Sequence, residues 1–167
     1  HGAYTAVEYL IKTGCRHIYF YSADPHLEIS KNRRNGYIDA MKRYNVPVTP
    51  EMIVWCDTRE KAMQITPSLL QSDTPPDGFF AINNDTAAGI LNACKAVGKR
   101  VPDEVAICGF SDDDIARSTD PKLTTVEQRG EEVGKSAFDI LHEKIEGKTD
   151  GKNRIVKTNL VVRGTTR

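Results

Sequence analysis

Polar side chains directly follow the apolar strands predicted for this chain, and they are the residues best placed to do chemistry. Asp24 follows the first strand, Asp57 the second, Asn84 the third and Ser111 the fourth. No evident nucleophile stands among them, because residues 109–113 do not form the GxSxG elbow of hydrolases. Carboxylate, amide and hydroxyl groups bind polar small molecules by hydrogen bonds. The pattern therefore predicts a ligand-binding edge rather than a catalytic centre.

Three further features could contact such a ligand. Residues 83–85, Asn-Asn-Asp, stand where a strand passes into a helix. One of them suffices to cap the helix, so another is left to face a ligand, and we expect that residue to be Asn84. Arg33 is either a surface charge or a guanidinium fork for sugar hydroxyls or a carboxylate. Trp55, the single tryptophan, either fills the core or offers a stacking surface to a sugar ring.

The sequence lacks the motifs of metal, nucleotide and haem sites. Its four histidines and four cysteines have no metal-ligand spacing, and neither GxGxxG nor GxxxxGK[ST] is present. The Ser-Asp-Asp-Asp run at 111–114 lacks the 12-residue calcium-loop pattern and indicates a solvated loop. We expect no metal, no cofactor and no enzymatic activity. A receiver-type or phosphatase-type enzyme that uses this acidic run is a remaining alternative, and magnesium binding would distinguish it.

The elements that position these residues alternate between strand and helix. Helices are predicted over residues 3–13, 30–44, 58–72, 84–97 and 130–146, with Ser30 as a cap of the second and Pro67 ending or kinking the third. Strands are predicted over residues 17–22, 52–56, 78–82, 105–110, 124–126 and 154–163. This alternation predicts an α/β fold with a mostly parallel sheet flanked by helices, whose ligands bind at the carboxyl ends of the strands.

Composition narrows the function further. Among 167 residues, Lys plus Arg and Asp plus Glu each number 23, so this segment lacks the basic excess of a nucleic-acid-binding surface. No apolar run reaches the roughly 18 residues of a membrane span, and we expect no membrane partner. Cys56, Cys94 and Cys108 stand in predicted strands and helices, and none of the four cysteines has a pairing motif. We therefore expect buried free thiols and a reducing, cytoplasmic location.

Several motifs, taken together, resemble the lactose-repressor (LacI/GalR) family of bacterial regulators. VPDEVAICGF at residues 101–110 and DPKLTTVEQ at 120–128 are similar to its C-terminal signature. RRNGY at 33–37 and AINNDTAAG at 81–89 are similar to its RxxGY and AxNDxxAxG segments. The resemblance covers essentially the whole chain in the expected order.

The resemblance implies a fold and a domain division. Residues 1–122 and 154–167 would form the C-terminal lobe of a type I periplasmic-binding-protein-like core. Residues 123–153 would supply a crossover and a helix of the N-terminal lobe, and the DNA-binding domain would be absent from this chain. The missing lobe leads us to expect the crossover helix to pack on a neighbouring chain or to sit displaced.

The resemblance also implies site residues and a function. Arg33, Asn84 and Gln128 match effector-binding positions; Ser111 replaces the family's usual aspartate, and Trp55 to Asp57 match a variable wall. The parent protein would bind operator DNA as a homodimer through the missing domain and change its DNA affinity when a small molecule closes the cleft. By this resemblance the small molecule is a sugar or sugar derivative, with a nucleobase or nucleoside as the alternative. An exported sugar receptor of the same fold is the alternative, marked by an upstream signal peptide.

Overall fold

The computed structural model describes residues 1–111, 113–128 and 158–167. In these ranges the helices are α1 (Gly2–Lys12), α2 (Glu28–Arg43), α3 (Arg59–Leu70), α4 (Asn84–Val97) and α5 (Ile115–Ser118). The strands are β1 (Ile18–Ser22), β2 (Ile53–Trp55), β3 (Gly78–Ala81), β4 (Ala106–Phe110), β5 (Thr124–Gln128) and β6 (Thr158–Val161). In this part of the chain no helix is both long and apolar enough to cross a membrane.

One six-stranded sheet of order β2-β1-β3-β4-β5-β6 organises the chain. The first five strands in this order are parallel, and β6 is antiparallel to β5. The chain moves outward from β1 to β2 and then back to β3, so right-handed crossovers place α2 and α3 on opposite faces. Helix α1 packs with α2, and α3 packs with α4. The predicted α/β class with a mostly parallel sheet is confirmed.

The core lies between the sheet and its two helix layers. Every residue of β1, β3 and β4 is buried, as expected for strands covered on both faces. Phe20 and Phe80 stack across neighbouring strands with ring centroids 5.3 Å apart. The hydroxyls of the two fully buried tyrosines each have a hydrogen-bond partner. Tyr37 donates to the Ile18 carbonyl at 2.6 Å, and the Tyr21 hydroxyl lies 2.8 Å from that of Thr66.

All four cysteines are buried and free, so that prediction is confirmed. Two predicted helix limits are wrong, namely Ser30 as the cap of α2 and Pro67 as the end of α3. Helix α2 begins at Glu28 after Leu27, so Ser30 lies inside the helix and does not cap it. Helix α3 continues through Pro67 to Leu70, because the proline costs hydrogen bonding only near the helix end while buried Thr66 and Leu70 hold the last turn in the core.

The C-terminal part of the chain differs from the prediction in extent. Strand β5 covers Thr124–Gln128, longer than the expected 124–126, and it pairs with β4 in this same sheet although it begins the predicted crossover. Within the described residues the last strand is Thr158–Val161, which ends two residues before the predicted limit of 163. The predicted helix 130–146, its packing partner and residues 154–157 lie outside the described residues.

Candidate functional site

Strand register brings the predicted site residues to one edge of the sheet. Ser22 pairs with Trp55 across β1 and β2, and Tyr21 pairs with Ala81 across β1 and β3. Phe110 pairs with Val126 across β4 and β5. All five parallel strands therefore end at the same edge, where ligands of such sheets bind beside the change in strand order.

The three residues of the Asn-Asn-Asp segment have different roles in the structure. The Asn83 side chain accepts a hydrogen bond from the Thr86 N–H at 2.8 Å and caps α4. The Asp85 carboxylate accepts from the Arg59 N–H at 2.9 Å, which ties α4 to α3. Asn84 serves neither purpose, and it is fully buried at the sheet edge.

A small hydrogen-bond network fixes the Asn84 amide. Its Oδ1 accepts from the Thr125 hydroxyl at 2.9 Å, and its Nδ2 donates to Asp113 Oδ1 at 3.1 Å. Gly109 makes room for this amide, because a Cβ at position 109 would collide with Asn84 Oδ1. A side-chain amide has two N–H donors, and one of those of Asn84 has no partner among the described residues.

Arg33 extends from the second turn of α2 across the ends of β3 and β4. Its Nη1 donates to the Ile82 carbonyl at 2.6 Å, and its guanidinium carbon lies 3.5 Å from the Phe110 ring centroid. Burial lowers the pKa of Arg33 to about 10, so the group stays charged at neutral pH. A guanidinium has five N–H donors, and most of those of Arg33 have no described partner.

Ser111 and Gln128 end the neighbouring strands. The Ser111 N–H donates to the Val126 carbonyl at 3.0 Å, and its carbonyl accepts from the Thr125 hydroxyl at 3.3 Å. Gln128 is the last residue of β5, and its side chain lies outside the described part. We call the central site the group of Arg33, Asn84 and Ser111 together with the residues that contact them, Phe110, Thr125 and Asp113.

The remaining predicted residues lie at the ends of β1 and β2, on the β2 side of the sheet. Asp24 accepts from the His26 N–H at 2.9 Å and so shapes the loop after β1. The Asp57 carbonyl accepts from Asn83 Nδ2 at 3.1 Å. Trp55 is 51% exposed, with Lys61 Nζ 5.3 Å from its ring centroid, so it is not a core residue. The structure thus separates a central group from an outer group.

Phe110, Thr125 and Asp113 belong to the central site, and sequence reasoning did not single them out. Thr125 could have been found from strand alignment, because it pairs with Gly109 directly below the strand end. Phe110 closes β4, yet the sequence gives no sign that an arginine from α2 lies over its ring. Asp113 sits in the acidic run that we expected to be solvated. Within the described ranges, no cluster of three His, Cys, Asp or Glu could hold a metal ion.

Comparison with known proteins gives consistent matches. Residues 7–166 match the model of the periplasmic binding protein-like domain. The repressor CytR of Escherichia coli is 31% identical over 99% of this chain and 49% of its own length. The repressor PurR of Vibrio vulnificus is 31% identical over 98% of this chain and 50% of its own. The chain thus spans about half the length of these relatives.

Solved structures agree with the sequence matches. A LacI-family regulatory protein from Chloroflexus aggregans superposes with a TM-score of 0.89 at 26% identity, over 99% of this chain and 60% of that one. The regulator CelR in complex with cellobiose gives a TM-score of 0.82 at 26% identity, over 98% of this chain and 51% of CelR. The resemblance to LacI/GalR regulators is confirmed, and the named relatives are repressors rather than enzymes, as expected.

Proposed function

Because the chain belongs to the periplasmic binding protein-like domain family, in the form found in LacI-family repressors, we propose that it is the effector-sensing part of a bacterial transcriptional regulator. The proposed effector is a sugar. CelR, a neighbour of the same fold, was solved with cellobiose, which supports this class of ligand.

One observation carries the proposal. The buried Asn84 amide is held by Thr125 and Asp113, and the Arg33 guanidinium lies over Phe110 at the end of β4. Among the described residues, one Asn84 N–H and most of the Arg33 N–H groups have no partner. Fixed donors and acceptors at a strand edge suit the alternating hydroxyls of a sugar. Arg33, Asn84, Ser111 and Gln128 are the proposed central contacts. The proposed outer contacts are Asp24, Trp55 and Asp57.

The proposed domain division follows the resemblance. In the proposed division residues 1–122 and 154–167 form one lobe and residues 123–153 cross to a second lobe. Because strand β5 pairs with β4 and β6 as far as Gln128, the crossing would begin after that residue. The full protein would act in the cytoplasm as a homodimer whose separate N-terminal domain binds an operator. Effector binding would favour one lobe arrangement over the other, and DNA affinity would follow only if the effector prefers one arrangement.

The test uses the full-length protein in an operator-binding assay with labelled DNA. Sugars are screened for a change in operator affinity, and Arg33→Ala is then compared with the parent. Loss of charge-assisted hydrogen bonds of about 1.5–3 kcal/mol should weaken the effector response by roughly 10-fold to 150-fold while operator binding without effector stays unchanged.

Arg43→Ala is the matched control, because Arg43 is exposed at the end of the same helix and its replacement removes the same charge. An unchanged sugar response in Arg33→Ala would overturn the assignment of the central site. Four buried free thiols and repressors as relatives favour the regulator over an exported receptor. A signal peptide encoded in place of the DNA-binding domain would reverse that choice.

A further inference from the structure

A cavity lies outside the central site, between the ends of β1 and β2. We call it the edge cavity; its volume is about 140 Å³. Its lining contains none of the central-site residues. The residues that line it are Ser22, Ala23, Pro25, Ser30, Arg34, Ile53 and Trp55.

Two adjacent arginines on α2 reach different sites, Arg33 the central site and Arg34 the edge cavity. Arg33 crosses to the Ile82 carbonyl and the Phe110 ring at the ends of β3 and β4. Arg34 is turned by one helical step, about 100°, and lines the edge cavity instead. Arg34 is exposed and forms no ion pair with another described residue. It is therefore available to an anion.

The other lining groups point to the rest of the ligand. Ser30 is 1% exposed, and its hydroxyl has no hydrogen-bond partner among the described residues. A buried polar group without a partner is costly, by about 1–3 kcal/mol, so this hydroxyl indicates a missing partner in the adjoining space. The Ser22 hydroxyl donates to the Ala23 carbonyl at 3.0 Å and keeps its own acceptor capacity. Both hydroxyls suit a polyhydroxylated molecule.

Size and charge narrow the ligand class. A cavity of about 150 Å³ can hold a six-membered ring such as benzene, and the edge cavity is close to that size. Half-exposed Trp55 supplies a flat surface for a ring, and Lys61 beside it adds positive charge. None of the seven lining residues is acidic.

We propose that the edge cavity is a second ligand site, which binds one sugar ring carrying an anionic substituent, with the anion on Arg34 and the ring against Trp55. The shared chemistry is an oxyanion on a sugar ring, and it can be a carboxylate or a phosphate. This site differs from the central site in its arginine and in its pair of strands, and it shares Trp55 with the proposed outer contacts of the effector.

Trp55 is the only tryptophan of the chain, so its fluorescence reports on this cavity directly. The 167-residue chain is titrated with glucuronate, glucose 6-phosphate, glucose and inorganic phosphate. We expect a saturable change with at least one anionic sugar, at concentrations at least about tenfold below those needed for glucose or inorganic phosphate. The responding sugar identifies the anion as carboxylate or phosphate.

Two variants of exposed arginines test whether Arg34 binds the anion. Arg34→Gln should raise the apparent Kd for the anionic sugar at least about tenfold, whereas Arg43→Gln, an exposed position on the same helix, should leave it unchanged. Circular dichroism confirms that both variants fold. Arg33→Ala should also leave this affinity unchanged, which separates the edge cavity from the central site.

Three results would each overturn the proposal. The first is no saturable response to either anionic sugar, or an equal response to glucose or to inorganic phosphate. The second is an unchanged affinity in Arg34→Gln. The third is loss of the response in Arg33→Ala, which would place the bound ligand in the central site. Failure of the sugar response in the operator assay does not bear on any of these outcomes.

Discussion

Gly109→Ala is the change that most directly tests how the central site is built. Gly109 lies in the buried strand β4, paired with Thr125 of β5. A Cβ at this position would collide with Asn84 Oδ1 and lie 3.3 Å from the Ala87 Cβ. The Asn84 side chain must therefore move, and it cannot keep both of its hydrogen bonds when it does.

The expected cost has two parts. Forcing a methyl group into a packed core costs about 1–3 kcal/mol. Leaving a buried amide without its partners costs about 1–3 kcal/mol more. The Thr125 hydroxyl is spared, because it also lies 3.3 Å from the Ser111 carbonyl and can donate there. We expect the free energy of unfolding to fall by about 2–6 kcal/mol, a large share of the roughly 5–15 kcal/mol of an ordinary domain.

Urea denaturation followed by circular dichroism measures this change, with Asn84→Ala and the double variant Gly109→Ala/Asn84→Ala as the matched set. Removing the Asn84 amide frees the space that the new Cβ needs. The double variant should therefore be more stable than the sum of the two single effects predicts, by at least about 1 kcal/mol. Additive effects, or a loss below about 1 kcal/mol in Gly109→Ala, would refute the proposed contact.

Two further predictions concern the buried core. Burial raises the thiol pKa from the ordinary 9.0 to about 11 in Cys15 and Cys56 and to about 12 in Cys94 and Cys108. As the pH rises, the thiols of the unfolded chain therefore lose their protons before those of the folded protein. The contribution of the buried thiols to stability is complete below pH 9 and should be lost as the pH rises from about 9 to 12. Thermal melts across this pH range measure the loss, and a melting temperature that does not change with pH contradicts the prediction. Tyr21→Phe removes the partner of the buried Thr66 hydroxyl and should cost about 1–3 kcal/mol in urea denaturation, whereas an unchanged midpoint would mean that Thr66 finds another acceptor.

The sequence was informative about the fold where local pattern and tertiary packing agree. Helix α4 begins after the Asn83 cap and ends before Gly98, whose φ of 78° suits glycine. Both limits follow from the residue types. Pro67 misled the prediction because its local cost is smaller than the gain from burying Thr66 and Leu70. Ser30 misled it because a preferred cap residue can also lie within the first turn.

The site was predictable in place but only partly in composition. Strand ends must meet at one edge of a parallel sheet, so Asp24, Asp57, Asn84 and Ser111 could be assigned there from periodicity alone. The partners of Asn84 could not, because the Thr125 contact depends on how β5 aligns with β4. Such alignment is set by packing across the whole sheet, and a single sequence does not contain it as a local signal.

Arg33 and Arg34 show the same limit in its sharpest form. They are adjacent, chemically identical and on one helix, so no property of residue type separates them. Their different positions follow from the helical turn of about 100° per residue combined with the starting angle of α2, which Leu27 and the loop before it set. Beginning the helix at Ser30, as the sequence suggested, leaves that angle undetermined. In the structure α2 begins at Glu28, Arg33 lies over Phe110 and Arg34 lines the cavity beside Trp55. One helical step therefore places the two positive charges at the ends of different strands.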